Sequence, residues 1–191
     1  MSDDRRTTFE AMYARDIDPW EFETSDYEHA KRAATIAMLG QRRFANGLEI
    51  GCSTGVLTRQ LAQRCDCLLA LDVAQNALNV ARARLSGRTG VEFARAEVPK
   101  EWPEGTFDCI VFSELLYFLS AEEIVQVAVH TRRSLVPGGV CLLVNWTGPN
   151  ELPVDGGTAV RLFEQAAGWS AQRSREQERY RLDLYTPSTR P

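Results

Sequence analysis

Two glycines and two acids in the first half of the chain have the spacing of a ligand site. Gly51 and Gly55 follow the run Leu48-Glu49-Ile50, and Cys52, Ser53 and Thr54 lie between them. The residues that follow, Val56-Leu57-Thr58-Arg59-Gln60-Leu61-Ala62, read as a helix. A strand, a glycine turn and a helix N-terminus present free backbone N–H groups to one side, which suits a nucleotide-like ligand. Gly51 permits a tight turn. Gly55 permits close approach of backbone to ligand or of helix to strand. The next strand ends in Asp72, which is 72 − 51 = 21 positions past the first glycine. A carboxylate placed there can accept hydrogen bonds from a ribose diol. The glycine spacing is G-x-x-x-G and not the G-x-G-x-x-G of dinucleotide sites, which disfavours a dehydrogenase. An ordinary strand-to-helix turn would need the same glycines, but it would not need Asp72.

The elements that must position these residues alternate regularly. Strands are expected at residues 47–50, 67–71, 91–94, 107–112 and 140–144, and helices at 56–64, 75–85 and 121–135. The run Phe107-Asp108-Cys109-Ile110-Val111-Phe112 is nearly all apolar, as in a strand buried on both faces. Pro137-Gly138-Gly139 reads as a turn. This order specifies a parallel sheet with helices on both faces and a ligand beyond the carboxyl ends of the strands. The tail reads as a helix over 158–167 and two alternating strands, 169–176 and 179–185, that pair antiparallel. Ahead of the sheet, Phe9, Met12 and Tyr13 share one helical face, and Asp18-Pro19-Trp20 interrupts that helix. A second helix is expected over 26–43, with Ala33, Ile36, Ala37 and Leu39 inward. Thr24 or Ser25 would cap it and Glu28 would complete a capping box. Residues 1–45 thus form a helical cap, either a lid over ligand or a cover for a sheet edge. Residues 46–191 form the α/β unit of a single domain.

Bulk properties narrow the class. The 191 residues suffice for one domain with a substantial core, and 44% hydrophobic with 25% charged residues is a globular balance. No apolar run approaches the ~20 residues of a membrane span, and the polar start lacks the apolar segment of a signal peptide. A cytoplasmic location is expected, with no membrane partner. The net charge of −4 argues against a nucleic-acid surface. The five cysteines offer no paired zinc motif and read as buried reduced thiols, so no metal is expected.

The glycine motif resembles the first motif of Rossmann-like methyltransferases that use S-adenosylmethionine, [DE]-x-G-x-G-x-G, with Glu49 as its acid and Ser53 in place of the middle glycine. Phe107-Asp108-Cys109-Ile110 and Leu135-Val136-Pro137-Gly138-Gly139 resemble two further motifs of that class. At the front end, Asp18-Pro19-Trp20, Ser25, Tyr27-Glu28, residues 47–52 and Glu114-Leu115-Leu116-Tyr117 are similar to the nodulation protein S family. The likeness is specific in the first two-thirds of the chain and weak after Val144. It implies a three-layer Rossmann-like sandwich with a seven-stranded, mostly parallel sheet and an antiparallel C-terminal hairpin. It also implies N-methylation of the free amine of a deacetylated chitin oligosaccharide or related amino sugar, with S-adenosylhomocysteine as product. The cofactor would meet Trp20, Tyr27, Arg32, Glu49, Gly51, Cys52, Ser53, Gly55, Asp72, Val73, Glu97 and Ser113. Among these Asp72 would hold the ribose and Glu97 the adenine amino group.

Methyl transfer to an amine requires an aligned nucleophile that has lost its proton. Glu114, just past the fourth strand, is placed to orient the amine and accept that proton. Tyr117 is placed to stack on a sugar or donate a hydrogen bond. Each has a plainer reading, Glu114 as a helix-terminal acid and Tyr117 as core. Trp20 and Tyr27 would cover the cofactor, stack on the acceptor or staple the N-terminal segment down. Arg32 would pair with the cofactor carboxylate or with Glu28 at i, i+4. Trp146 would face the acceptor side, and His29 is a candidate base. The competing functions are an O- or S-methyltransferase of the same fold and a protein that binds the cofactor without turnover. A monomer or weak dimer is expected.

Overall fold

The apolar run at 107–112 becomes the centre of the molecule. In the computed structural model, which describes residues 2–149 and 152–187, it forms one of seven strands in a single sheet. The elements run α1 (Ser2–Arg15), α2 (Asp26–Met38), β1 (Phe44–Ile50), α3 (Val56–Leu61), β2 (Cys65–Asp72), α4 (Gln75–Arg84), β3 (Val91–Arg95) and β4 (Phe107–Ser113). A 3-10 turn (Leu116–Phe118) precedes α5 (Ala121–Ser134), β5 (Leu135–Trp146), α6 (Gly156–Ala167), β6 (Arg173–Glu176) and β7 (Tyr180–Tyr185). The strand order is β3-β2-β1-β4-β5-β7-β6. The first five strands pair in parallel, and β7 runs antiparallel to both β5 and β6.

Successive side chains of a strand point to opposite faces, so β4 feeds two cores. Ile110 and Phe112 join Ile124 and Val127 of α5 and Phe163 of α6 on one face. Cys109 and Val111 join Ala34 and Met38 of α2 and Leu57 and Leu61 of α3 on the other. Both layers come from the expected alternation, and the seven-stranded, mostly parallel sheet is the expected one. Four of the five cysteines are buried free thiols and Cys67 is exposed. No described helix is long and apolar enough to cross a membrane.

The departures have local causes. Helix α2 stops at Met38 and not at residue 43, because Gly40 takes a positive φ of 65° that ends the last turn. Its buried face is Lys31, Arg32, Ala34, Thr35 and Met38, while the expected Ala33 and Ala37 are exposed. Ser25 caps it by accepting the Glu28 N–H, but the Glu28 carboxylate turns to Lys31 and leaves the capping box half made. A complete box forms instead between Ser120 and Glu123 at the start of α5. The Pro137-Gly138-Gly139 turn lies inside β5. Leu135 pairs with Phe107 and Val140 with Cys109, so the glycines form a bulge in a continuing strand. Strand β6 begins at Arg173, since Trp169 packs on Phe163 and Tyr185 after the left-handed Gly168 that closes α6. All four residues of β6 are exposed.

At the carboxyl end of β1, Gly51 has a φ of 85° and a Cβ there would lie 2.6 Å from the Ser113 carbonyl oxygen. Gly51→Ala is therefore expected to lower stability by roughly 2–4 kcal/mol through combined backbone strain and overpacking, read as a shifted urea midpoint.

Candidate active site

The loop after β1 is shaped by hydrogen bonds to the end of β2. The N–H groups of Gly51 and Cys52 both donate to the Leu71 carbonyl, at 2.8 and 2.9 Å. The Ser53 N–H donates to Asp72 Oδ2 at 2.8 Å, and the Ala74 N–H donates to Asp72 Oδ1 at 2.9 Å. An ionised carboxylate offers about four acceptor sites, so acceptor capacity remains beyond these two bonds. Burial pushes the Asp72 carboxyl above its ordinary range, and the backbone N–H groups of Ala74, Ser53 and Val73 oppose that rise. Ser53 stands at a φ of 50°, a conformation easier for glycine. Its hydroxyl accepts the Tyr13 O–H at 2.6 Å, a bond glycine would lack, and this ties α1 to the loop.

Above these strand ends lies a cavity of about 710 Å³, within the range of roughly 300–1,000 Å³ for small-molecule sites. Gly51, Ser53, Asp72, Val73, Glu97, Ser113, Glu114 and Tyr117 line it, with Trp20 and Tyr27 from the N-terminal segment. Glu97 is held by Arg5 at 3.3 Å, and the same guanidinium reaches Glu123 at 2.6 Å. Phe9, Tyr13, Trp20 and Phe22 form one aromatic wall. Tyr27 meets Trp146 and Tyr180 edge-on at 6.1 and 5.9 Å in a second aromatic cluster. The Tyr27 hydroxyl is buried without a partner among the described residues.

Glu114 lines the same cavity. Its backbone has a φ of 56°, and its N–H donates to the Val144 carbonyl at 3.0 Å. Its Oε2 accepts the Tyr117 O–H at 2.7 Å and its Oε1 accepts Lys31 Nζ at 2.5 Å. Lys31 also donates to Glu28 Oε1 at 2.8 Å. Burial alone would lower the Lys31 ammonium; the carboxylates of Glu114 and Glu28 outweigh it and hold the ammonium above its ordinary range. Burial raises the Glu28 carboxyl, against the pull of Lys31.

Other expected residues fall outside the main cavity. Arg32 lies in a narrow side pocket with Cys52, Ser53 and Thr54. Its Nη1 donates to the Phe22 carbonyl at 2.6 Å, while its Nε and the Thr54 hydroxyl have no partner among the described residues. The Glu28 carboxylate takes Lys31 and not Arg32. Gly55 admits close helix packing: a Cβ there would lie 3.0 Å from that of Ala81 on α4. His29 is exposed, with Nε2 at 2.7 Å from the Glu23 carbonyl oxygen, and does not line the cavity. His130 stacks on Trp102 at 5.3 Å and is only partly exposed. Lys31 and Arg5 were not singled out from the sequence, and Tyr13 was read only as part of a helical face. The one available signal for Lys31 was its i, i+3 spacing from Glu28.

Glu49 lies beneath the cavity and does not line it. It is wholly buried, and neither carboxylate oxygen has a partner among the described residues. Burial pushes its carboxyl up to about 7; the Thr58 hydroxyl faces it and opposes the rise, and the Asp72 charge reinforces it.

A sheet of this order with an antiparallel seventh strand, and a cavity over the ends of β1, β2 and β4, define a class I, Rossmann-like methyltransferase fold. The sequence model described as Nodulation protein S matches residues 5–143, and the chain belongs to that family. Nodulation protein S of Rhizobium tropici is 33% identical over 124 residues, covering 64% of this chain and 52% of the relative. That of Sinorhizobium fredii is 32% identical over 124 residues, covering 64% and 57%. The chain thus spans about half the length of the curated relatives it matches. Among solved structures, a Pseudomonas syringae protein superposes with a TM-score of 0.74 at 32% identity, covering 84% of this chain and 99% of that one. The N-methyltransferase NodS of Bradyrhizobium japonicum, solved with S-adenosyl-L-homocysteine, superposes with a TM-score of 0.82 at 22% identity, covering 93% and 97%.

The buried Glu49 carries a pH signature. Its folded value of about 7 lies above the ordinary 4.5, so the folded state binds the extra proton between those values. Stability therefore falls as pH rises through that window and levels off above it, by on the order of 3 kcal/mol. Glu49→Gln is expected to flatten that slope and to raise stability at pH 8 by roughly 1–3 kcal/mol, measured by urea unfolding at pH 5 and pH 8.

Proposed function

We propose that this protein is an S-adenosylmethionine-dependent methyltransferase that N-methylates the free amine of an amino sugar or deacetylated chitooligosaccharide. The observation that carries the reading is one cavity lined both by Asp72 and the Gly51–Ser53 backbone and by the Glu114–Tyr117 pair. The donor set fits the cofactor. Asp72 keeps acceptor capacity for a ribose diol, and Glu97 is a carboxylate for an adenine amino group. The unpartnered Arg32 Nε and Thr54 hydroxyl suit a carboxylate, and a ligand that paired them would relieve an unsatisfied-donor cost of about 1–3 kcal/mol each.

Bound there, S-adenosylmethionine supplies an electrophilic methyl group and a neutral sulfide leaving group. The chain has then to align the acceptor and exclude water. Glu114 accepts an N–H of the incoming amine and takes the proton that frees its lone pair. Tyr117 holds the second Glu114 oxygen. Tyr27 and Trp146 offer flat apolar faces to a sugar ring. Residues 1–45 act as a cap: Phe9, Tyr13, Trp20 and Lys31 supply the cavity wall that would keep water out. The protein works in the cytoplasm as a monomer or weak dimer.

A mass-spectrometric assay with S-adenosylmethionine and chitin oligosaccharides tests the reading. Methylation only of oligosaccharides with a free terminal amine is expected. Methylation of neither form, with S-adenosylhomocysteine still bound, would discard the sugar acceptor. Asp72→Ala is expected to weaken S-adenosylhomocysteine binding roughly 10–100-fold by calorimetry, the loss of hydrogen bonds to a charged acceptor. Glu114→Gln should lower kcat by about 10²-fold and leave that affinity nearly unchanged. If only the affinity fell, Glu114 would belong with the cofactor.

A further inference from the structure

Lys31 is a buried cation that the steps above leave without a chemical task. It is 5% exposed, and its ammonium reaches Glu114 at 2.5 Å and Glu28 at 2.8 Å and lies 5.2 Å from the centre of the Tyr27 ring. Glu114 is gripped at both oxygens, by Lys31 from α2 and by Tyr117 from the 3-10 turn. Its backbone sits in the left-handed region, which a residue with a side chain keeps only when its surroundings hold it there. A carboxylate on such a backbone would otherwise be free to turn about its own side-chain bonds. Lys31 is thus shared between two carboxylates, Glu114 and Glu28.

We propose that Lys31 is a positioning residue for methyl transfer. It fixes the Glu114 carboxylate so that the lone pairs not used by Lys31 and Tyr117 are left to the acceptor amine. This rests on the role assigned to Glu114 above. It has a further implication: α2 belongs to the N-terminal cap, so seating the cap and completing the acceptor site are one event. The rival explanation is that Lys31 only staples α2 to the sheet.

A double-mutant cycle separates the two. Lys31→Met, Lys31→Arg, Glu114→Gln and the Met/Gln double variant would be compared for kcat, acceptor KM, thermal midpoint and S-adenosylhomocysteine affinity. Lys31→Met is expected to lower kcat about 10–100-fold, the cost of a misplaced group, with a much smaller change in KM. Lys31→Arg should recover most of that loss. In the Glu114→Gln background Lys31→Met should cost less than about 2-fold further, because the two residues act through one another. An equal loss in both backgrounds would overturn the proposal. So would a loss of kcat that Lys31→Arg does not recover and that follows the thermal midpoint and cofactor affinity.

A readout without turnover stands beside the cycle. The Glu114 carboxyl carbon resonance, identified by its disappearance in Glu114→Gln, should move in Lys31→Met and stay near its place in Lys31→Arg. An unmoved resonance in Lys31→Met overturns the positioning role even if no acceptor is turned over. An inactive wild-type protein in which that resonance moves as expected would instead count against the acceptor reading and spare Lys31.

Discussion

The Asp72 carboxylate is the interaction on which the site depends. It lies at the end of one strand and accepts backbone N–H groups from the loop after the neighbouring strand and from the start of α4. Those bonds hold Ser53 in a conformation it would not choose alone, and Ser53 in turn receives Tyr13 from α1. The floor of the cavity and its N-terminal wall are thus joined through one buried acid. Burying a carboxylate is costly unless donors surround it, and here the backbone supplies them.

A second constraint is the crowding of buried acids near the strand ends. Glu49, Asp72 and Glu28 are buried and Glu114 is half-buried; they come from four different segments, and only some have cations beside them. Lys31 compensates two of them, while Glu49 has no cation and is pushed towards its neutral form. Unpaired Arg32 Nε and Tyr27 hydroxyl groups add to this local imbalance. Such frustration is the mark of a place built for a ligand, where stability is exchanged for readiness to bind.

The sheet was legible because its strands alternate or run apolar, and burial on two faces enforces both patterns. The order of elements followed from the same periodicity. Helix α2 was misread for a physical reason. Its inward face carries Lys31, Arg32 and Thr35, and the exposed Ala33 and Ala37 offered a false apolar stripe. A search for hydrophobic spacing passes over a helix whose buried face is polar. The cavity residues Ser53, Asp72, Glu114 and Tyr117 could be placed because they follow strands at motif spacing. Lys31 and Tyr13 could not, because their partners lie 83 and 40 positions away and nothing local marks the pairing. Gly55 and Glu49 show the converse: motif positions that do not line the cavity, the one packed closely on α4 and the other a buried acid.

The outermost strand β6 reads Arg-Ser-Arg-Glu and keeps all four residues in solvent. An open sheet edge carries unpaired backbone groups that invite another chain to add a strand. Here any such addition would have to bring a new strand alongside charged side chains with no apolar face to cover. The strand is also only 4 residues long, and Arg173 ties it back to the Met38 carbonyl at the end of α2. This edge of the sheet is therefore guarded by charge and brevity rather than by a covering helix, which disfavours strand addition there.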